Sequence, residues 1–309
     1  MFVLLRSGLQ VSRNRTRFVL APSPHHSWPR SRLRLGATIV LRTLLPVYLI
    51  LMLSSCSQSA TAAAQQLTLT GSTSVTPFVE GLAELYEHDH PGKKINVQGL
   101  GSSAGIQAAA NGTAELGMSS RHLEPDEVEQ LVPIEIARDA LAIIVHPDNP
   151  VANLSTEQVR AIFTGAIRNW REVGGRDEGI VQVTREAGSG TYGAFEELVM
   201  NEELPTPRAL RQGSNGAVRQ IVAEDPDAIG YISLGIADAT VKPIAVDGVQ
   251  ASTEAVTAGQ YKLVRPFLFV QRKGATLSPL AQDFLGFVLS PEGQAELVRD
   301  GLIQGADAQ

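Results

Sequence analysis

Apolar positions along this chain recur with two periods, and the periods alternate. Gln66–Thr70 places leucine at every second position, the mark of a strand buried on one face. After GSTSVTP, Phe78, Leu82, Leu85 and Tyr86 fall at helical spacing, and Pro91-Gly92 closes that helix. Lys94–Gln98 predicts the next strand. It meets GLGSSAG and a small-residue helix through Ile106 that stops near Gly112. Leu141–Val145 reads as a buried strand and His146-Pro147-Asp148 as a turn. Ser155 with Gln158 forms a capping-box pattern for a helix whose apolar face is Val159, Ile162 and Phe163, ended by Gly165.

The same alternation continues to the C-terminus. Ile180–Thr184 predicts a strand that runs into REAGSGT and a helix carrying Tyr192, Phe195, Leu198 and Val199. GSNGAV opens a helix with Val218, Ile221 and Val222. Ala228–Ile232 and Tyr261–Val270 add strands. Two closing helices begin at Ser278-Pro279 and Ser290-Pro291, each with proline at the favoured first position. Strands and helices taking turns predict an α/β fold with helices covering mostly parallel sheets.

Composition narrows the class. The chain has 309 residues, 43% hydrophobic and 19% charged, which predicts a folded core. Its net charge of −6 argues against a nucleic-acid partner. A single cysteine excludes a disulfide scaffold and a multi-cysteine metal site. No apolar run reaches the roughly 18–20 residues of a spanning helix.

The charge is unevenly spread. Residues 1–55 hold eight arginines with no lysine or acidic residue, so the remainder carries 18 basic against 32 acidic groups, a net of −14. Arg32, Arg34 and Arg42 precede an apolar run from Leu44 to Leu53, and LSSC follows at 53–56. That order reads as a signal peptide ending in a lipoprotein cleavage box, with Cys56 as the lipidated first residue of the mature chain. The other reading is a plain signal peptide with an incidental thiol. Residues 1–30 are long for the front of such a signal and fit an over-extended start assignment. Residues 56–65 read as a lipid-anchored tether.

Four Gly/Ser/Thr clusters carry the candidate chemistry. GSTSVTP (71–77), GLGSSAG (99–105), REAGSGT (185–191) and GSNGAV (213–218) each sit at a helix start. First-turn amides lack intrahelical partners, and the helix dipole there favours negative charge. Each cluster alone is more often just an N-cap. Together, with three of them directly following a strand, they predict one anion-binding crevice. Arg185 precedes the third loop and reads as a ligand. Arg121, which ends GMSSR (117–121), reads either as a ligand or as half of an ion pair. A strongly acidic surface does not forbid anion binding, because exposed charges beyond about 8–10 Å are screened.

These residues resemble a known family. GSTSVTP, GLGSSAG, GMSSR, IFTGAIRNW (162–170), REAGSGT, IGYISLG (229–235) and RPFLFV (265–270) occur in this order after the cleavage box. They are similar to the phosphate-binding lipoproteins of bacterial phosphate ABC importers, in the branch beginning GSTSV. The resemblance implies a type II, two-lobed periplasmic-binding-protein fold with its ligand in the interlobe cleft. Residues 1–55 would then be extension and signal, 66–141 plus 263–309 lobe I, and 142–262 lobe II. Carried over motif by motif, the implied phosphate-binding residues are Ser72, Thr73, Ser74 and Val75 in the first loop and Ser102 and Ser103 in the second. GMSSR adds Ser120 and Arg121, and the third loop adds Arg185, Ser189, Gly190 and Thr191. The best-known branch has an aspartate where Ser120 stands, which puts phosphate-over-sulfate selectivity in question; Glu186 is the alternative proton acceptor. Further implications are a monomer outside the cytoplasm, without cofactor or metal, anchored to the membrane by lipid on Cys56. Its partners would be the permease and ATPase subunits of the importer.

Other readings remain. The same fold could hold sulfate or molybdate. Gly101-Ser102-Ser103-Ala104-Gly105 satisfies G-x-S-x-G and would make Ser103 a hydrolase nucleophile. However, only His122 and His146 follow it, and the late histidine of that fold is missing. A sugar or peptide site would lean on aromatic stacking, yet residues 56–309 hold only twelve aromatics, mostly at core-like spacings. Trp170 reads as packing beneath the IFTG turn.

Overall fold

The computed structural model describes residues 65–201 and 203–308. The arginine-rich segment, Cys56 and nearly all of the tether lie outside the described residues. In chain order come β1 (Gln65–Gly71), α1 (Thr76–Asp89), β2 (Lys93–Gly99), α2 (Ser102–Asn111) and β3 (Leu116–Ser119). The short α3 (Pro125–Gln130) leads into the long β4 (Leu131–Val145). Next are β5 (Asn153–Leu154), α4 (Thr156–Thr164), β6 (Val181–Arg185), α5 (Gly190–Phe195) and β7 (Leu210–Gln212). Then follow α6 (Asn215–Glu224), β8 (Ala228–Ser233), β9 (Lys242–Pro243), β10 (Ala245–Val246) and α7 (Thr253–Thr257). β11 (Val264–Arg272), α8 (Pro279–Leu289), α9 (Pro291–Arg299) and β12 (Ile303–Gln304) complete the chain.

The main sheet runs β2-β1-β3-β11-β4-β8-β6-β7. β1 is parallel to β2 and β3, and β6 is parallel to β7 and β8. Between these blocks the order is antiparallel: β11 against β3 and β4, and β4 against β8. The expectation of mostly parallel sheets is therefore corrected to a mixed sheet. The cause is β4, which pairs with β11 through Ala140 and with β8 from Leu141 onward. One continuous strand thus serves both halves of the molecule, and β11 returns beside it in the opposite direction.

Each half buries its own apolar core. Leu69, Val79, Leu82, Met118, Phe267 and Phe284 centre the first. Ile143, Val159, Phe163, Val183, Phe195 and Tyr231 centre the second. Fully burying one such side chain contributes roughly 1.5–3 kcal/mol. Phe195 stacks on Tyr231 with ring centroids 3.9 Å apart, and Phe163 meets both edge-on at 4.8 and 5.5 Å. Trp170 is buried, and its indole N–H donates to the Asp227 carbonyl at 2.9 Å, as the packing reading expects.

The local signals set the element ends. Ser155 and Gln158 form a reciprocal capping box on α4, and Gly165 ends that helix at φ 82°. Ser278 and Ser290 cap the proline-led α8 and α9. Other ends differ from expectation. The strand at Leu141–Val145 starts ten residues earlier, and the strand expected from Tyr261 starts at Val264. The helix after REAGSGT has six α-helical residues and then widens into a π turn at Glu196–Met200.

Candidate functional site

Strand ends bring the hydroxyl-rich loops together. After β1, Ser72 Oγ accepts from the amides of Ser74 and Val75 at 3.1 and 3.4 Å. Its own proton goes to Ser120 Oγ, 2.8 Å away beyond the end of β3. The Ser120 amide donates to Ser102 Oγ at 3.1 Å, at the start of α2. All three serines are buried. Loops after β1, β2 and β3 thus meet in a net of neutral hydroxyls and amides.

The loop after β6 closes on this net from the other half. Ser189 caps α5, accepting from the amides of Thr191 and Tyr192 at 3.1 and 3.4 Å. Thr191 Oγ1 lies 2.7 Å from Ser74 Oγ, and the Ser103 amide donates to the Gly188 carbonyl at 3.2 Å. Gly190 is pressed between two serines. A Cβ there would stand 2.2 Å from Ser102 Oγ and 2.7 Å from Ser120 Oγ, so no side chain fits.

Arg185 supplies the charge. It ends β6 and is 1% exposed. Its amide donates to the Tyr231 hydroxyl at 3.3 Å, which ties the strand end to the aromatic cluster. Its Nε donates to the Gln212 carbonyl at 3.0 Å. Nη2 donates to Thr73 Oγ1 at 3.0 Å and to the Gly213 carbonyl at 2.9 Å. Every partner is neutral. Nη1 is buried with no hydrogen-bond partner among the described residues. Burial first, and the nearby Arg265 charge second, push this guanidinium down to about 10. A desolvated cation without a counter-charge is unfavourable by itself. A doubly charged anion placed among these donors removes that penalty, and charge-assisted hydrogen bonds contribute roughly 1.5–3 kcal/mol each.

Two of the expected residues lie apart from the net. Ser103 is exposed, with only its amide engaged. Arg121 gives Nη1 and Nη2 to the two oxygens of Glu127, both at 2.8 Å. It lines a cavity of about 610 Å³ with Glu124, Gly193 and Glu196, outside the serine net. Glu186 is also exposed. Residues not anticipated as part of the site include Asn215, whose Nδ2 donates to Ser74 Oγ at 2.7 Å. Its only sequence signal was its place inside the fourth loop.

Comparison with known proteins fits this geometry. A model of the PBP superfamily domain matches residues 57–292. The Bacillus subtilis phosphate-binding protein PstS is 31% identical over 251 residues, covering 80% of this chain and 83% of that one. The chain belongs to the PstS family of phosphate-binding proteins. Among solved relatives in this family, a phosphate ABC transporter substrate-binding protein of Clostridium perfringens, crystallised with bound phosphate, is 41% identical. It aligns with a TM-score of 0.75 over 78% of this chain and 99% of its own. An ABC-type phosphate transport receptor of Vibrio cholerae is 37% identical, with a TM-score of 0.66 over 77% and 99%. The fold is the two-lobed one of periplasmic binding proteins, as expected.

Proposed function

We propose that this protein captures inorganic phosphate outside the cytoplasm and delivers it to the permease and ATPase of a phosphate ABC importer. One observation carries the reading: a buried arginine, Arg185, has, among the described residues, only neutral hydrogen-bond partners and an unpartnered Nη1, and it sits among hydroxyls supplied by both halves of the fold. The proposed phosphate ligands are Ser72, Thr73, Ser74, Ser102, Ser120, Arg185, Ser189, Gly190 and Thr191, with amide help near Val75. Ser103 and Arg121 are left out, since one faces solvent and the other is held by Glu127.

The division into lobe I (66–141 plus 263–309) and lobe II (142–262) is supported by the two separate cores and by the change of partner along β4. Bending at β4 and β11 would open the cleft, and an anion touching both lobes would favour the closed state. Binding and release are the whole activity; no bond of the ligand is broken, and the relatives are solute-binding proteins. The protein acts as a monomer, held at the membrane by lipid on Cys56.

Titration calorimetry of the purified chain in detergent tests the function. One orthophosphate per protein, with micromolar or tighter affinity, is expected. No heat and no thermal shift at millimolar phosphate would reject the assignment. Sulfate competes by the same chemistry, since the buried net offers hydroxyls and one arginine but no carboxylate contact to Ser120. Displacement of labelled phosphate by sulfate measures how far the serine discriminates.

A further inference from the structure

One chain of buried polar contacts leads out of the serine net and ends in the strands that join the lobes. Asn215, the first residue of α6, is 1% exposed. Its Nδ2 donates to Ser74 Oγ at 2.7 Å, and its Oδ1 accepts from the Ser233 amide at 3.4 Å. Ser233 ends β8, and its hydroxyl donates to Asp139 Oδ1 at 2.8 Å. Asp139 Oδ2 lies 2.9 Å from both Nε and Nη2 of Arg265. Asp139 and Arg265 face each other in register on β4 and β11.

The chemistry of this chain has a direction. A backbone N–H can only donate, so the Ser233 amide decides which end of the Asn215 side chain is oxygen. The NH2 end therefore faces Ser74 and cannot accept. Ser74 and Thr191 share one hydroxyl proton across their 2.7 Å contact. Whichever of the two donates, the other keeps a proton that neither its partner nor Asn215 can take. That proton is left for an anion. A buried ion pair is often no better for stability than apolar residues of equal volume. Stability alone therefore does not account for Asp139–Arg265, whereas the carboxylate does orient Ser233.

We propose that Asn215 is a further ligand-site residue that holds Ser74 and Thr191 as proton donors, and that Asp139 and Arg265 position it through Ser233. The inference rests on the phosphate reading above.

The test is orthophosphate titration of the full chain in detergent, wild type against four variants, at pH 7.5 and pH 5. Asn215→Ala is expected to weaken binding about tenfold, the effect of one lost hydrogen bond. Asn215→Asp keeps the shape but turns the donor into an acceptor. It should bind more weakly than Asn215→Ala at pH 7.5 and recover relative to wild type at pH 5, once its carboxyl is protonated. The charged groups around that position are Arg185 on β6, Glu186 just after it and against Gly213, Arg265 on β11 and Asp139 on β4; the wild-type titration at each pH accounts for them and for the phosphate itself. Ser233→Ala leaves the ion pair intact and is expected to cost about threefold or more. The double variant Asp139→Leu/Arg265→Met removes both charges and should lose at least as much. Wild-type affinity in Asn215→Ala, or a pH-independent loss in Asn215→Asp, overturns the role of Asn215. Wild-type affinity in Ser233→Ala overturns the positioning role, whether or not the double variant folds. If wild type itself fails to bind phosphate, the functional reading fails instead.

Discussion

Arg185 and Arg265 are both buried, and their surroundings differ in one respect. Arg265 meets a carboxylate, Asp139, at 2.9 Å. Arg185 meets two carbonyls and a threonine hydroxyl and no carboxylate; both guanidinium groups keep buried nitrogens without a hydrogen-bond partner among the described residues, so the counter-charge alone separates them. The first charge is compensated within the fold. The second is not paired: among the described residues no carboxylate hydrogen-bonds it, and the neighbouring Glu186 charge is exposed to solvent. A third arginine, Arg121, is held bidentately by Glu127 and lies apart from the hydroxyls. The difference teaches that a buried cation marks a ligand site through what it lacks. Its position beside a Gly/Ser loop is not enough, since Arg121 also follows two serines.

The largest expected effect separates the two buried arginines. Arg185→Ala should weaken phosphate binding at least about a hundredfold, as two charge-assisted bonds would, while its melting temperature stays at or above that of wild type. A less than threefold loss would remove Arg185 from the site. Arg265→Met should do the opposite first, costing about 3–5 kcal/mol in urea unfolding because Asp139 is left unpaired. Most of that loss should return in Asp139→Leu/Arg265→Met; if it does not, the pair is not the source.

The next effect is a pH response confined to Arg185. Burial and the nearby Arg265 charge push its guanidinium from its ordinary range down to about 10. Phosphate affinity should therefore fall above about pH 10, approaching tenfold per pH unit. As pH rises above about 10 the ligand-free protein should gain stability from this group, because the unfolded chain, whose guanidinium keeps its higher ordinary value, there binds more protons. Calorimetry and urea melts from pH 8 to 11 check both signs. An affinity independent of pH over that range would mean that another group carries the charge.

Smaller effects belong to the third arginine. Burial raises the Glu127 carboxyl, but hydrogen bonds from Arg121 and the Glu124 amide outweigh it and hold the group below the usual 4.5. The stability from this pair is fully present above pH 4.5 and is lost as pH falls through the lower folded value. Glu127→Gln should flatten that acid limb in thermal melts and leave phosphate affinity within about twofold. A large affinity loss would bring Arg121 back into the site.

Much of the architecture was legible because its signals are local. The Ser155–Gln158 capping box, Gly165, and the Ser-Pro starts of α8 and α9 act within one turn of chain. The Gly/Ser loops were legible for the same reason. Features set by distant partners were hidden. The first ten residues of β4 include Pro133, Glu135, Arg138 and Asp139, and only pairing with β11 makes them a strand. Three short elements, β3, β9 and β12, depend likewise on their neighbours. In the site, nothing near Asn215 announces Ser74, which is 141 residues away. Asp139 and Arg265 are 126 residues apart and become a pair only through sheet register. Arg121 stayed open between ligand and ion pair in the sequence, because its partner Glu127 is six residues on, inside α3.

The most direct test of the account is a crystal structure of the chain grown with phosphate. The expected result is one phosphate between the two lobes, with an oxygen about 3 Å from Arg185 Nη1 and others on hydroxyls of both halves. A phosphate seated instead beside Arg121, with Arg185 still bonded only to protein atoms, would contradict it.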